Sequence, residues 1–164
     1  MRHRKCKIAP LGVRLKFSLR LCSLASWRET LFLANNLMTE NEIARQVVDV
    51  AYKVHTHFGP GLLESVYESI MAYELRKRGL CVETQQGLPV IYDDLRMDVG
   101  FRPDLIVAGK VIVEIKSVEG VHPVHKKTLL TYLRVADLRL GLLVNFGEAL
   151  IKDGITRIVN RLEE

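Results

Sequence analysis

Apolar side chains recur at helical spacing in two neighbouring stretches of the chain. In the first stretch Thr39 is followed three residues later by Glu42, which is the pattern of a capping box at the start of a helix. We therefore predict a helix from Thr39 to Phe58, ended by the Gly-Pro-Gly break at residues 59–61. The second stretch predicts another helix over residues 62–78. The apolar stripe of the first helix consists of Ile43, Val47, Val50, Ala51, Val54 and Phe58.

Strand patterns follow the two helices. Residues 82–92 predict one strand, and residues 95–107 predict a longer strand that bends near Pro103. A tight turn at residues 108–110 leads into a third strand over residues 111–117. Successive side chains of a strand point to opposite faces, so this third strand presents two different surfaces. One face consists of Val111, Val113 and Ile115, and the other consists of Ile112, Glu114 and Lys116.

The last part of the chain adds one helix and two strands. Residues 123–136 predict a helix, whose first turn tolerates the proline at position 123. Residues 138–146 form an apolar run typical of a buried strand, and residues 154–161 predict a short final strand. The order α-α-β-β-β-α-β-β predicts an α/β fold in which a mixed β-sheet is flanked by α-helices. A chain of 164 residues is long enough for one such domain and too short to expect two.

The positive charge of the chain is concentrated before Met38. Residues 1–37 contain eight Lys or Arg and one acidic residue, a net charge of +7, whereas residues 38–164 contain sixteen basic and eighteen acidic residues, a net charge of −2. The overall charge of +5 therefore says nothing about the partners of the domain. We expect residues 1–37 to be a disordered basic extension and residues 38–164 to form the domain. An organelle-targeting segment and sequence upstream of the true start are the alternatives for the extension.

Cysteine usage and hydropathy bear on the compartment. The chain has three cysteines, Cys6, Cys22 and Cys81, and none of them belongs to a CxxC pair. This pattern predicts neither a disulfide framework nor a zinc site, and it favours a reducing cytoplasm. No stretch approaches about eighteen uninterrupted apolar residues, so we expect no membrane span.

Two carboxylates and one ammonium group meet at the predicted hairpin around residues 108–110. The turn brings Asp104 beside Glu114, and Glu114 and Lys116 leave the same face of their strand because they are two residues apart. Such a cluster is costly unless it is solvated or holds a cation. Together with the backbone carbonyl of Ile115 and with water, the two carboxylates suit a hard divalent ion, best Mg²⁺, with Mn²⁺ as the alternative.

This cluster predicts hydrolysis of a phosphate ester. A metal ion held by Asp104 and Glu114 would polarise a phosphoryl oxygen. Lys116 is predicted to orient or deprotonate the attacking water and to offset the charge that develops on the phosphate. A solvated edge strand is the alternative interpretation of Glu114 and Lys116, and a plain turn residue is the alternative for Asp104.

Two motifs of the chain resemble those of a known group of nucleases. Pro-Asp at residues 103–104, followed by Glu-Ile-Lys at residues 114–116, resembles the motif of the PD-(D/E)xK nuclease superfamily. Gly-Leu-Leu-Glu-Ser-Val-Tyr at residues 61–67 resembles the motif of the bacterial GxxExxY family, a branch usually placed in that superfamily. Residues 125–133 and 141–146 are similar to later segments of the same family. The resemblance covers nearly the whole chain after the basic extension.

The resemblance implies a restriction-endonuclease-like fold and a metal-dependent nuclease that acts on nucleic acid, with DNA favoured over RNA. It also implies that Glu64, carried on a helix, is an extra acidic residue of the site and a ligand of the metal. A carboxylate that simply favours the N-terminus of its helix is the alternative for this residue. The predicted catalytic residues are Glu64, Asp104, Glu114 and Lys116, and the predicted metal ligands are Glu64, Asp104, Glu114 and the carbonyl of Ile115.

Four further residues are predicted to contact nucleic acid: Tyr67, His125, Thr128 and Tyr132. Nucleases of this superfamily often carry a Gln in a QxxxY pattern on the helix after the ExK strand, whereas here Thr128 stands four residues before Tyr132. Because Thr is shorter and lacks the amide, the role of this position in orienting water or phosphate is open. Packing is the alternative for the two tyrosines, and an ordinary helix-surface position is the alternative for His125.

The sequence leaves three functions open. The intact carboxylates and lysine favour an active nuclease. Thr128 and the acidic domain favour a nucleic-acid-binding or regulatory module without useful turnover, and a hydrolase of other phosphates is the third alternative. A DNA-binding surface needs a local basic patch, which residues 76–78 and 126–127 supply only if they lie near each other. A homodimer is also open, because many nucleases of this type cut as dimers.

Overall fold

The computed structural model describes residues 33–162, except for the side chain of Val99. The helices that follow Met38 are α1 (Glu40–Phe58), α2 (Glu64–Lys77), α3 (Pro123–Val135) and α4 (Ile151–Gly154). The strands are β1 (Val82–Thr84), β2 (Leu88–Tyr92), β3 (Leu95–Phe101), β4 (Leu105–Val107), β5 (Val111–Lys116), β6 (Leu140–Asn145) and β7 (Ile155–Val159).

A five-stranded sheet in the order β1-β4-β5-β6-β7 forms the centre of the domain. β5 and β6 are parallel, and α3 lies in the crossover between them. The other neighbours in this sheet pair antiparallel. β2 and β3 form a separate antiparallel hairpin. The predicted mixed sheet flanked by helices is therefore confirmed.

The two faces of the sheet are covered by different helices. On one face, Ile112 of β5 packs in a core cluster with residues of α3. Glu114 and Lys116 follow Ile112 at steps of two, so they lie on the α3 face. The alternation predicted for this strand is confirmed. The opposite face of β5 consists of Val111, Val113 and Ile115, which are buried in the main core with residues of α1 and α2.

The start of α1 follows the predicted capping box. The backbone N–H of Glu42 donates to Thr39 Oγ1 over 3.2 Å, and the N–H of Thr39 donates to Glu42 Oε2 over 2.7 Å. The two bonds satisfy donors that a helix N-terminus otherwise leaves unpaired. The helix ends at Gly59, whose φ of 67° suits a residue without a Cβ.

The strands predicted over residues 82–92 and 95–107 are wrong in one respect, because each is divided between two sheets. After β1, Gln85 adopts a φ of 50°, which turns the chain out of the extended path. Before β4, Pro103 lacks the N–H that a continuous ladder would need. The chain leaves the central sheet at the first point and returns at the second, and the β2–β3 hairpin is built in between. The final strand is shorter than predicted and follows α4, which the sequence pattern does not predict.

Residues 33–37 differ from the expected disordered extension. They are helical, and the buried side chain of Asn35 joins them to the domain. Asn35 Nδ2 donates to the carbonyl of Gly79 over 2.9 Å, and its Oδ1 accepts the N–H of Cys81 over 3.2 Å. The predicted disorder is therefore wrong for residues 33–37, and residues 1–32 lie outside the part of the chain that is described.

Cys81 also differs from the expectation of reduced cysteines, because it is disulfide-bonded. Cys6 and Cys22 lie outside the described residues. Between residues 33 and 162, no helix combines the length and the apolar character needed to cross a membrane.

Candidate functional site

Asp104 and Glu114 are neighbours because of the antiparallel register between β4 and β5. Leu105 pairs with Val113, so the residues one step further along each strand, Asp104 and Glu114, lie side by side. Asp104 Oδ2 accepts the backbone N–H of Ile115 over 2.7 Å. This bond ties the Asp104 carboxylate to β5, just before β4 begins.

Glu114 and Lys116 form an ion pair that is almost closed off from solvent. Lys116 Nζ lies 2.9 Å from Glu114 Oε1, and the two side chains are 14% and 11% exposed. The second oxygen of the same carboxylate, Glu114 Oε2, is buried without a hydrogen-bond partner among the described residues. Leaving a buried carboxylate oxygen unpaired is costly, so this oxygen is suited to a further cation or donor.

Glu64 approaches the ion pair from α2. This helix packs on the opposite face of the sheet, but Glu64 is its first residue and lies at the carboxyl end of β5. Glu64 Oε1 accepts the N–H of Ser117 over 3.1 Å, and Glu64 Oε2 lies 3.9 Å from Lys116 Nζ. The hydroxyl of Ser117 donates to the carbonyl of Leu62 over 2.8 Å, which fastens the start of α2 to the end of the strand. The structure thus brings the four predicted catalytic residues into one cluster.

Tyr67 does not lie where nucleic acid could contact it. Its side chain is fully buried and stacks on Phe146, with 4.1 Å between the ring centroids. The hydroxyl donates to the carbonyl of Gly59 over 2.6 Å and accepts the N–H of Leu62 over 3.2 Å. The predicted nucleic-acid contact of Tyr67 is therefore wrong. Its side chain is buried, and its hydroxyl holds the turn that precedes Glu64.

The charges of the cluster perturb one another. Burial and the neighbouring Asp104 charge raise the pKa of Glu114, and the hydrogen bond from Lys116 offsets only part of this rise. Burial by itself lowers the pKa of Lys116, but its hydrogen bond to Glu114 and the charges of Glu114, Asp104 and Glu64 outweigh burial and raise it. Lys116 is therefore an ammonium ion at neutral pH. Its single positive charge faces several carboxylates, so the cluster favours a further cation.

Three predicted nucleic-acid contacts lie on α3. Tyr132 is partly buried, with its ring centroid 5.2 Å from that of Phe101 in β3. Burial, followed by the charges of Glu114 and Asp104, raises the pKa of Tyr132. His125 and Thr128 are also partly buried. Their side chains form no hydrogen bond within residues 33–162, and their contacts with nucleic acid stay predictions.

The two basic groups do not combine into one patch. Residues 76–78 lie at the end of α2, which packs against the Val113 face of β5. Residues 126–127 lie on α3, which covers the Ile112 face. The sheet therefore separates them, and the condition for a joint DNA-binding surface is not met.

The donor set fits a hard divalent ion that takes few protein ligands. Mg²⁺ usually keeps several waters and binds through one or two carboxylates. Asp104 and Glu114 supply two adjacent carboxylates, and Glu114 Oε2 has no other partner in the described part of the chain. Within that part, no group of three or more His, Cys, Asp or Glu side chains is arranged to hold a metal ion, so water has to complete the coordination. The role of the Ile115 carbonyl as a ligand stays a prediction.

Two polar residues beside Asp104 are missed by the sequence analysis. Gln85 Nε2 donates to Asp104 Oδ1 over 3.0 Å and to Glu68 Oε2 over 2.8 Å. Burial raises the pKa of Glu68, the hydrogen bond from Gln85 lowers it, and the Asp104 charge raises it again. Glu68 lies four residues after Glu64, and this spacing is a signal that the two share one face of α2. Gln85 carries no such signal, because only the turn after β1 brings it to Asp104.

Asn145 is a third residue that the sequence analysis misses. It is fully buried at the end of β6 and pairs with Lys116 in the parallel register. Its Nδ2 donates to the carbonyl of Val118 over 2.8 Å, and its Oδ1 accepts the N–H of Val118 over 3.0 Å and that of Gly147 over 3.2 Å. Asn145 therefore holds the segment that follows Lys116. A single polar residue at the end of an apolar strand is the signal that could have identified it.

One comparison with known proteins gives a match. The family model described as PD-(D/E)XK nuclease superfamily matches residues 41–158, more than half of the 164-residue chain. The matched range runs from α1 into β7 and contains every residue of the cluster. The mixed five-stranded sheet flanked by helices is consistent with the restriction-endonuclease-like fold of that superfamily. No curated protein and no solved structure matches the chain.

Proposed function

The chain belongs to the PD-(D/E)XK nuclease superfamily, and on this premise we propose that it is a Mg²⁺-dependent phosphodiesterase that cuts nucleic acid, with DNA favoured over RNA. The observation that carries the proposal is the cluster of Asp104, Glu114 and Lys116, in which one buried carboxylate oxygen has no hydrogen-bond partner among residues 33–162. Within the superfamily we assign the chain to the GxxExxY branch. The support for this branch is the arrangement of residues 61–67. Tyr67 holds the turn before α2 by a hydrogen bond, and Glu64, the first residue of α2, lies in the cluster.

The carboxylates of the cluster have distinct tasks in this proposal. Asp104 and Glu114 are the residues that would hold Mg²⁺ or Mn²⁺, and Glu64 stands beside Lys116 at the start of α2. When bound, the divalent ion supplies Lewis-acid stabilisation of the negative charge that develops on the phosphate. Glu64 also accepts the N–H of Ser117 and lies beside Lys116, so it keeps the end of β5 and the lysine in place.

Lys116 serves as a hydrogen-bond donor in this site. Its raised pKa keeps it an ammonium ion, with three N–H groups and no acceptor. One donor is directed to Glu114, which leaves others for the attacking water and for a phosphate oxygen. A preorganised donor in a site that is largely closed to water stabilises developing charge more strongly than it would in bulk solvent. Lys116 therefore positions the nucleophile and stabilises charge, and it does not accept the proton.

The surface of α3 is the proposed contact for the nucleic-acid backbone. The charges of Glu114 and Asp104 act on Tyr132, and His125 and Thr128 precede it on the same helix. Hydroxyl and imidazole groups are suited to phosphate oxygens, and such contacts fix register without reading sequence. Binding then depends on these local contacts, because the domain as a whole carries a net negative charge.

A catalytically weak nucleic-acid-binding or regulatory module is the second candidate. Two observations favour it: Thr128 stands where related nucleases often carry Gln, and the sheet separates the two basic groups at residues 76–78 and 126–127. In this alternative the fold and the cation site are kept, and turnover is lost.

A cleavage assay on the full chain tests the proposal. Duplex, single-stranded and branched DNA, together with RNA, are incubated with the protein in Mg²⁺ and, in parallel, in EDTA. We expect cleavage of DNA in Mg²⁺ alone. Asp104→Asn should abolish both cleavage and Mg²⁺ binding, because it removes one anionic ligand.

The matched control is Asp98→Asn on the β2–β3 hairpin. Asp98 is 76% exposed and forms an ion pair with Arg96, away from the cluster, so this change should leave the rate unaltered. Cleavage by Asp104→Asn at the parent rate, or undiminished cleavage in EDTA, would contradict the proposal. Metal binding without cleavage of any substrate would favour the regulatory module instead.

A further inference from the structure

An amide group connects Asp104 to helix α2. Gln85 Nε2 donates to Asp104 Oδ1 over 3.0 Å and to Glu68 Oε2 over 2.8 Å. A glutamine amide nitrogen carries two hydrogens, so both of its donors are used by these two carboxylates. The amide therefore stands between two like charges that would otherwise repel each other.

Both oxygens of Asp104 are held as a result. Oδ1 accepts from Gln85, and Oδ2 accepts the N–H of Ile115 over 2.7 Å. An ionised carboxylate offers about four lone-pair positions, so about two remain for a cation. The orientation of the Asp104 carboxylate is thus set from β5 on one side and from the turn after β1 on the other.

The backbone of Gln85 supports the same arrangement. Its N–H donates to the carbonyl of Asp104 over 3.0 Å, so Gln85 contacts both the main chain and the side chain of that residue. Its φ of 50° lies in the left-handed region, which is unfavourable for a residue with a Cβ. Such a conformation persists where surrounding contacts hold it, and it is common beside functional sites.

We propose that Gln85 is a positioning residue of the nuclease site, whose amide orients Asp104 toward the cation and ties it to the helix that carries Glu64 and Glu68. The inference rests on the proposed function, because it concerns the geometry of the same site. Gln85 acts through Asp104 and does not touch the substrate. Loss of a residue that hydrogen-bonds to a metal ligand, without binding the metal itself, commonly weakens metal affinity by about 10–100-fold.

The test uses Gln85→Gly in the full chain. Glycine accepts the left-handed backbone, so the variant keeps its fold while the amide bridge is lost. We expect calorimetric titration with Mn²⁺ to show affinity weakened by about 10-fold or more. In Mg²⁺, kcat for DNA cleavage should fall with little change in KM. Gln85→Ala should weaken Mn²⁺ binding to the same extent and have a lower Tm than Gln85→Gly, because alanine, like the parent glutamine, has a Cβ in the left-handed conformation.

The matched control is Gln86→Ala at the neighbouring position. The side chain of Gln86 forms no hydrogen bond in the described part of the chain, so its loss should leave both Mn²⁺ affinity and kcat unchanged. A readout without metal is the amide proton of Ile115 in NMR spectra, which reports the bond to Asp104. This resonance should move in Gln85→Gly and stay in place in Gln86→Ala.

Separate outcomes overturn the two proposals. A parent that binds Mn²⁺ and cuts DNA, with Gln85→Gly equal to it in affinity and kcat, overturns the positioning role alone. An unshifted Ile115 amide in Gln85→Gly also counts against the positioning role. A parent that neither binds Mn²⁺ nor cuts overturns the proposed function, and the positioning role falls with it.

Discussion

Replacing Lys116 with methionine should destabilise the fold strongly, because its partner is buried. Methionine keeps much of the length of the side chain and removes only the charge. Glu114 is then left 11% exposed with neither of its oxygens paired to a cation. Breaking a buried ion pair in this way costs about 3–5 kcal/mol, and the remaining exposure of the pair favours the lower end, about 3 kcal/mol. By comparison, Arg96→Met breaks a pair with Asp98 in which the two side chains are 65% and 76% exposed, and it should cost less than about 1 kcal/mol.

A double variant separates the charge effect from lost packing. In Lys116→Met/Glu114→Gln the remaining partner is neutral, so no unpaired charge stays in the site. We therefore expect the double variant to lose less free energy of unfolding than the sum of the two single changes. The coupling energy should be about 1–3 kcal/mol, as is typical of residues in direct contact.

Urea denaturation followed by circular dichroism in EDTA measures these differences. EDTA removes divalent ions, so any change in stability comes from the chain itself. A cost of Lys116→Met no larger than that of Arg96→Met, or additive effects of the Lys116 and Glu114 changes, would refute the buried ion pair. Either result would mean that the pair is solvated, as on an ordinary edge strand.

Three further predictions concern the supports of the site and the domain. Asn145→Ala should lower the free energy of unfolding by about 3 kcal/mol, because it removes three hydrogen bonds of roughly 1 kcal/mol each, and a loss below about 1 kcal/mol in urea would contradict this. Burial alone would raise the pKa of Glu40, but its hydrogen bonds and the charge of Arg139 outweigh burial and lower the pKa below 4.5. The Glu40–Arg139 pair therefore stabilises the fold above that pH, and this stabilisation is lost as the pH falls through the lowered pKa. Arg139→Met should reduce the free energy of unfolding that is lost on acidification by less than about 1 kcal/mol, since Arg139 is 54% exposed. The same dependence of stability on pH in the variant and the parent would contradict this prediction. Asn35→Ala should cost about 1–3 kcal/mol, because the partly buried carbonyl of Gly79 and N–H of Cys81 lose their bonds to this side chain. An unchanged denaturation midpoint would show that residues 33–37 do not stabilise the domain.

Periodicity predicts the secondary structure well where a single face is buried. α1 has a capping box and one apolar stripe, and β5 alternates between a face toward α1 and α2 and a face toward α3. The pattern fails where neighbouring strands of similar composition belong to different sheets. Residues 82–92 read as one strand because hydropathy does not register the left-handed turn at Gln85. Propensity records local preference, whereas the division into two sheets is a tertiary effect.

The same distinction applies to the site. Spacing alone places Asp104, Glu114 and Lys116 together, because a hairpin and a two-residue step determine their positions. Tyr67 shares a motif with Glu64, and the motif does not indicate that one side chain points into the core while the other points to the strand end. Gln85 could not be predicted, since its contact depends on how the chain leaves β1. Residues joined across elements by hydrogen bonds leave little trace in a linear pattern.

In the proposed site, Lys116 and its two carboxylates carry out metal-dependent hydrolysis. The most direct test is the rate of DNA cleavage by Lys116→Met relative to the parent, at a temperature where circular dichroism shows both proteins folded. Calorimetric Mn²⁺ titration of the same samples establishes that the metal site remains, since an ammonium group is not a metal ligand. The account predicts a rate lowered by roughly 100-fold or more with Mn²⁺ binding retained, because a positioned charge-stabilising donor contributes about 10²–10³. Cleavage by Lys116→Met at the parent rate would contradict it.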